Sequence, residues 1–154
     1  MDTHLLAVGR LRPYYREACN DYLRRLDRYG RVEERELREA ARAPTPELRR
    51  REESSRLAAA LPARATVVVL DGGGSPWSSE ELARRLDGWR LSARPVALVI
   101  GGAWGLEGTL VAGATHRWSL GPLTLPHELA RVIVLEQWYR GWSILRGEPY
   151  HKRG

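Results

Sequence analysis

The chain has 154 residues, of which 43% are hydrophobic and 29% charged, a balance that suits one globular domain and excludes a disordered charged tail. Its longest uncharged run, residues 95–106, is too short to span a membrane. Cys19 is the single cysteine, which excludes an internal disulfide and a thiolate zinc cluster and favours a reducing cytoplasm. The net charge of +6 is typical of a protein with a nucleic-acid partner, although a merely solvated basic surface has the same charge.

The first third of the chain alternates between short apolar runs and a helical pattern. The run Leu5–Val8 ends at a glycine and is typical of a buried strand. Pro13 then begins a helix whose apolar residues recur every three or four positions until Gly30 stops it. Residues 31–39 hold two large apolar side chains among charges, which favours an edge strand.

The remaining two thirds continue this alternation. The predicted elements are a helix from the N-cap Thr45 and Pro46 to Pro62, a central strand Thr66–Leu70, a loop Asp71–Pro76, a helix with a capping box at Ser78 and Glu81, a strand Val96–Ile100, a short helix within Gly105–Ala114, a short strand Trp118–Leu120 and a long helix from Thr124–His127 to Gly147. Strands joined by helices of about ten residues or more imply a parallel sheet. We therefore predict a single α/β domain over residues 1–154.

Three predicted loops share one context, because each follows an apolar strand and precedes a helix. They are Leu70–Pro76, Ile100–Leu106 and Leu120–Pro126. In open parallel sheets, ligands bind beyond the carboxyl ends of the strands, where such loops converge. The pattern predicts one pocket shared by the three loops, although glycine and proline also punctuate ordinary turns.

Several motifs are absent, and their absence limits the classes of ligand that this pocket is expected to bind. The sequence has no G-x-G-x-x-G or G-x-x-x-x-G-K-[ST] phosphate signature and no G-x-S-x-G hydrolase elbow. The histidines have no metal-ligand spacing, so we expect no metal site. An apolar, aromatic or adenosine-like ligand held by backbone contacts suits the pocket best.

The last helix and the tail each have two interpretations. Trp138, Tyr139 and Trp142 are core residues, or they exceed what one small domain buries and form a dimer interface, where such residues are enriched. The tail after Gly147 is a frayed end, or it is an arm that places residues 150–153 on an anionic substrate.

Distinctive motifs occupy the last third of the chain. The segment W-S-L-G-P-L-T-L-P-H at residues 118–127 precedes a helix with Glu136, Tyr139-Arg140 and Trp142-Ser143, and Pro149-Tyr150-His151 follows. These motifs resemble the large-subunit ribosomal RNA methyltransferase H family, a minimal SPOUT-class enzyme. Agreement elsewhere lies in Ala7-Val8-Gly9, Tyr22–Arg25, Leu70-Asp71 with Pro76-Trp77, and Ile100-Gly101-Gly102 with Gly105, so the resemblance spans the chain and is weakest over residues 31–64.

The resemblance implies a fold, a cofactor and a reaction. Members of the family have an α/β domain with a C-terminal trefoil knot and work as homodimers with the last helix at the interface. The implied contacts with S-adenosylmethionine map onto Leu70, Gly101, Gly102, Leu120, Gly121, Pro122, Leu123, Thr124, Leu125 and Pro126. The implied reaction methylates N3 of a pseudouridine in a stem-loop of large-subunit rRNA, on assembled ribosomes in the cytoplasm.

Methyl transfer to this nitrogen requires in-line alignment and a group that accepts or compensates the weakly acidic imide proton. The candidate catalytic residues are His127, Arg140 and His151, although His127 has a second interpretation as a residue that only orients the cofactor loop. Tyr150, His151 and Arg153 are the candidate substrate-binding residues, which the resemblance places at the pocket of the neighbouring protomer.

One loop departs from the family. The second loop usually contains Gly-Gly-Pro-Glu-Gly, whereas this chain has Gly101-Gly102-Ala103-Trp104-Gly105. The change removes a carboxylate and adds an indole that can stack on a nucleobase or on the adenine of the cofactor. Two alternative functions follow, namely a ribosome-binding dimer with impaired catalysis and a SPOUT methyltransferase with a different RNA target.

Overall fold

A computed structural model describes residues 1–152 of the chain. The elements in chain order are β1 Thr3–Val8, α1 Pro13–Leu26, β2 Val32–Leu37, α2 Pro46–Ala59, β3 Thr66–Ser75, α3 Ser79–Leu91, β4 Val96–Ile100, α4 Gly108–Ala112, β5 His116–Trp118, α5 His127–Leu145 and a 3₁₀ helix Pro149–Lys152. All strand pairs are parallel, in the order β2-β1-β4-β3-β5. The predicted α/β fold with a parallel sheet is confirmed.

Local sequence accounts for the beginnings of the helices. Thr45 accepts a hydrogen bond from the backbone N–H of Leu48 at 3.2 Å, with a proline at the first helical position of α2. Ser78 and Glu81 form the predicted capping box of α3, each side chain accepting from the other residue's backbone N–H at 3.1 and 2.7 Å. The N-terminal ends of these helices are therefore fixed by residues next to them in sequence.

The sheet is covered on both faces, which explains its apolar strands. Residues of β4 are buried throughout, with Val96, Leu98 and Ile100 in the core beneath α1, α3 and α5, and Val99 in the smaller core beneath α2 and α4. This alternation follows from the period of two along a strand. By contrast, β2 lies at one edge, as predicted, and carries most of its charged residues toward solvent or ion pairs.

Two strand boundaries differ from the predictions. The predicted loop Asp71–Pro76 is wrong over its first five residues, because β3 continues to Ser75 with an irregularity in which Leu70 and Ser75 both pair with Trp118. Gly74 allows this course, since a Cβ there would lie 2.5 Å from the Arg117 carbonyl oxygen. The strand predicted at Trp118–Leu120 occupies His116–Trp118 instead, because hydrogen bonds between the hydroxyl of Ser119 and the backbone of Gly121 begin a turn.

The structure also decides how the last helix and the tail are used. Trp138, Tyr139 and Trp142 are buried within the single chain, so they are core residues and provide no surplus of aromatic surface. The tail packs back on the domain as far as it is described: the Tyr29 hydroxyl donates to Glu148 at 2.6 Å, and the Tyr150 ring lies 4.7 Å from that of Tyr139.

Within residues 1–152, the helices lack the combination of length and apolarity needed to cross a membrane. The same residues contain no group of three or more His, Cys, Asp or Glu side chains arranged to hold a metal ion.

Candidate functional site

The three loops singled out by the sequence meet at the carboxyl edge of the sheet and surround one cavity of about 550 Å³. This edge is where parallel sheets place their ligand sites. The volume is in the usual range for small-molecule sites. The lining residues are Leu70, Asp71, Gly72, Ile100, Gly101, Gly102, Ala103, Gly105, Leu106, Trp118, Leu120, Gly121, Pro122, Leu123, Thr124, Leu125, His127 and Ala130.

Bare backbone forms part of the cavity wall. Gly72, Gly105 and Gly121 line the cavity, and a Cβ added at any of them would meet no atom within 4 Å. Gly105 and Gly121 have φ of +77° and +118°, which L side chains rarely adopt. The backbone at these three positions is therefore not covered by side chains, so a ligand can approach it closely, while leucine side chains supply the apolar wall.

The second loop is a tight turn closed on itself. The N–H of Gly105 donates to the carbonyl of Gly102 at 3.1 Å, and a Cβ on Gly101 would lie 2.9 Å from the carbonyl carbon of Gly105. This close approach requires glycine and leaves Ala103 and Trp104 at the tip of the turn.

Helix α2 supports this second loop from behind. The Ser54 hydroxyl accepts from the N–H of Glu107 at 2.8 Å. Buried Glu53 accepts from the N–H of Ala40 at 3.0 Å, and its other carboxylate oxygen lies 3.3 Å from where a Cβ of Gly102 would stand. The loop is therefore held by a helix distant from it in sequence.

An ion pair fixes the first loop. Both Nε and an Nη of Arg117 donate to one carboxylate oxygen of Asp71, at 2.9 and 2.5 Å. Because Asp71 lines the cavity, this pair neutralises a carboxylate at the site and ties β3 to β5.

The N-terminus of α5 closes the cavity and is anchored by charged contacts. The next residue after His127, Glu128, accepts from the backbone N–H and Nε of Arg12 at 2.7 and 3.1 Å. The backbone hydrogen bond and the guanidinium of Arg12 lower the pKa of the Glu128 carboxyl. One turn further, Arg131 is 1% exposed and donates to Glu34, Glu36 and the Gly9 carbonyl.

The network around Arg131 was not predicted from the sequence. Arg16 also pairs with Glu34 and Glu36, at 2.5 and 2.6 Å, so two cations and two carboxylates join α1, β2 and α5. The one sequence signal for this network was the run of charged residues within the edge strand predicted over residues 31–39. This network positions the end of α5 that carries His127.

Most of the predicted cofactor contacts lie together around the cavity. Pro126 is the exception: it precedes α5 as its N-cap and is followed by His127, which lines the cavity. The predicted loops contained most of the lining residues, whereas Trp118, His127 and Ala130 lie outside them.

Two of the other predicted site residues, Arg140 and Tyr150, form a second cluster at the far end of α5. Arg140 donates to Glu136 at 2.9 and 2.8 Å, and these hydrogen bonds raise the pKa of the guanidinium. Its guanidinium carbon lies 5.1 Å from the centre of the Tyr150 ring. Thirteen residues of helix separate Arg140 from His127, or about 20 Å. The side chain of His151 and all of Arg153 lie outside the described residues.

Comparisons with known proteins identify relatives along almost the whole chain. A family model described as "Predicted SPOUT methyltransferase" matches residues 1–151. Two proteins named "Ribosomal RNA large subunit methyltransferase H" are similar: that of Rubrobacter xylanophilus is 52% identical over 96% of each chain, and that of Pseudomonas paraeruginosa is 43% identical over 99% of this chain and 100% of its own.

A solved structure shares the fold. It belongs to a study of the 2-OH methylation of C/U34 on tRNA, and it matches with a TM-score of 0.51 and 17% identity over 95% of this chain and 97% of its own. At this identity the likeness concerns the arrangement of strands and helices alone.

Proposed function

Since the chain belongs to the SPOUT methyltransferase family, within the ribosomal RNA large subunit methyltransferases H, we propose that it methylates N3 of a pseudouridine in large-subunit rRNA on assembled cytoplasmic ribosomes. Methylation of RNA with S-adenosylmethionine is the activity of this family. The observation that carries the finer proposal is the pair of L-T-L-P-H and P-Y-H motifs, since every residue of the first motif except Pro126 lines the cavity.

The cavity residues fit S-adenosylmethionine. The leucine-lined wall suits the adenine ring, and the backbone at Gly105 and Gly121 is not covered by side chains, so the cofactor can approach it closely. Arg117 already neutralises the carboxylate of Asp71, so no cation in the cavity is needed to balance that negative charge. We assign the cofactor to the ten predicted residues Leu70, Gly101, Gly102 and Leu120–Pro126. The trefoil knot implied by the resemblance places the same loops in the knotted part of the chain.

The bound cofactor supplies an electrophilic methyl group on a sulfonium. The chain has to hold the target base in line with that methyl group and exclude water from it. N3 of pseudouridine also carries a proton that must leave. His127 is at the cavity wall, where an imidazole nitrogen accepts this proton or passes it to solvent.

The second cluster lies too far away to serve the cavity of its own chain. We therefore propose a homodimer in which Arg140 and Tyr150, with His151 and Arg153, bind substrate at the partner's cavity. The surface of α5 supports this arrangement, because Leu129 and Ile133 are partly exposed on the stripe that continues to Glu136 and Arg140. Packing two copies along this stripe buries the apolar residues and brings Arg140 to the interface.

Labelled methyl transfer tests the activity. Purified protein is incubated with methyl-labelled S-adenosylmethionine and intact ribosomes from cells that lack this methyl mark. We expect label in large-subunit rRNA and none with an Ala130→Trp variant, whose indole fills the cavity. A Leu91→Ala variant, changed at an exposed position at the opposite edge of the sheet, should match the wild type. Absence of label from every rRNA would contradict the proposal.

Subunit mixing tests the shared site. Ala130→Trp blocks the cavity and Arg140→Ala removes a substrate group, so each variant alone should be inactive. In a mixed dimer, the open cavity of one chain faces the intact Arg140 of the other. An equimolar mixture should recover about a quarter of wild-type methyl transfer. A mixture that stays inactive, although mixed dimers form, would mean that each chain uses its own Arg140.

A further inference from the structure

Trp104 stands apart from the other tryptophans. It is 41% exposed, whereas Trp89, Trp118, Trp138 and Trp142 are buried. It occupies the tip of the tight turn between Gly102 and Gly105, so the backbone holds it at the carboxyl edge of the sheet. The exposed part of Trp104 takes no part in packing within the chain.

The ring lies outside the cavity. Its neighbours Ala103 and Gly105 belong to the cavity wall, but the indole is directed to α2, with the guanidinium carbon of Arg49 at 5.7 Å from the ring centre. The exposed ring is thus unsuited to stacking on the adenine of a cofactor inside the cavity. Its exposed surface is open to solvent next to the cavity wall.

Arg49 is itself held in place beneath the ring. Its Nε donates to the carbonyl of Ala43 at 2.9 Å and an Nη donates to that of Ala41 at 3.4 Å. Two more arginines, Arg50 and Arg51, follow on α2, and Arg51 reaches Glu107 only at 3.6 Å. The aromatic ring therefore lies beside one positioned cation, Arg49, which two further arginines follow directly on the helix, in a protein of net charge +6.

This combination matches the way proteins bind unpaired nucleotides, in which aromatic rings stack on bases and arginines attract the phosphates. We propose that Trp104, oriented by Arg49, stacks on an unpaired base next to the target nucleotide and so positions the RNA at the cavity. The inference rests on the proposed function, since it takes the substrate to be ribosomal RNA. Trp104 stands where the family usually has Glu. A carboxylate at this position repels the phosphates of RNA, whereas an indole attracts a base.

The test separates RNA binding from cofactor binding. Methyl transfer is measured at saturating S-adenosylmethionine while the concentration of ribosomes lacking the mark is varied, and cofactor affinity is measured separately by calorimetry. We expect Trp104→Ala to raise KM for ribosomes roughly 5- to 150-fold, the range of one lost stacking contact, with kcat and cofactor affinity unchanged. Trp104→Tyr should restore most of the loss and Trp104→Leu should not, because leucine packs but does not stack. Arg49→Ala should raise KM less than Trp104→Ala.

An unchanged KM in Trp104→Ala would overturn the inference, and so would equal KM values for the leucine and tyrosine variants. A fall in the cofactor affinity of Trp104→Ala that matches its rise in KM would overturn it too, because it would show that Trp104 only supports the loop. Sedimentation of each variant with the same ribosomes, without methyl transfer, gives an independent measure of binding. If the wild type binds ribosomes through Trp104 but transfers no methyl group, the stacking inference stands and the proposed function fails.

Discussion

Cys19 is the single cysteine of the chain and lies on α1 with none of its side chain exposed. Burial raises the pKa of its thiol to about 11. At that value about one thiol in a thousand is ionised near pH 8, and the thiolate is the reactive form. We therefore predict that an aromatic disulfide reagent labels the native protein far more slowly than the denatured protein, followed by absorbance. Fast stoichiometric labelling of the native state would mean that α1 opens readily.

Individual site residues differ in how far the sequence reveals them. The sequence reveals the loops around the cavity, because glycine, proline and a preceding apolar strand lie next to one another in the chain. The sequence does not reveal the partners of Arg131, because Glu34 and Glu36 precede it by 97 and 95 residues. The sequence offers no local signal for a pair of that separation, so the anchoring network appears only in the fold.

At the scale of elements, α5 is held to β2 by the buried Arg131. Removing one partner of a buried ion pair leaves uncompensated charge in the interior. Arg131→Met should lower the free energy of unfolding by about 3 kcal/mol or more, even though Arg16 still neutralises part of the charge. Denaturant titration measures the loss. Arg90→Met is the matched control, since it breaks an exposed ion pair with Asp87 and should cost less than about 1 kcal/mol. Equal losses in the two variants would contradict the anchoring role.

The start of β5 predicts a dependence of stability on pH. His116 lies beside Trp77 and Trp89, with ring centres 5.8 and 5.5 Å away. Burial, and then the charge of Arg85, lower the pKa of His116. A lowered pKa means that the fold favours the neutral ring, so its contribution is complete above the ordinary histidine pKa and is lost as the pH falls below it.

A His116→Gln variant isolates this contribution. Between about pH 7.5 and pH 5.5, the free energy of unfolding of the wild type should fall more steeply than that of the variant. Denaturant titration at both pH values provides the comparison. Parallel losses would show that other groups account for the acid sensitivity.

Elements whose signals lie within a few residues were predictable, as the caps of α2 and α3 and the apolar strands β1 and β4 demonstrate. The end of β3 could not be predicted, because Asp71–Ser75 contains three consecutive glycines, which usually indicate a loop. Pairing of Ser75 with Trp118 on the neighbouring strand outweighs that preference. Tertiary contacts, here between strands distant in sequence, decided the boundary.

For the whole molecule, the position of the aromatic residues changes the argument for self-association. The sequence allows the aromatic residues of α5 to be either core residues or a dimer interface, and in the structure they fill the core beneath the sheet. The proposed dimer now depends on the partly exposed stripe from Leu129 to Arg140 and on the distance between that residue and the cavity. The sequence predicted the sheet and the cavity loops, whereas the distribution of apolar surface required the fold.

The most direct measurement is the position of the methyl group on the RNA. Ribosomes from cells lacking the mark are incubated with the protein and S-adenosylmethionine, and nuclease fragments of the large-subunit rRNA are analysed by mass spectrometry. We predict one added methyl group, on N3 of a single pseudouridine, absent with Ala130→Trp and present with Leu91→Ala. A methyl group on a ribose, on another base or in the small subunit would contradict the proposed reaction while leaving the cofactor cavity in place.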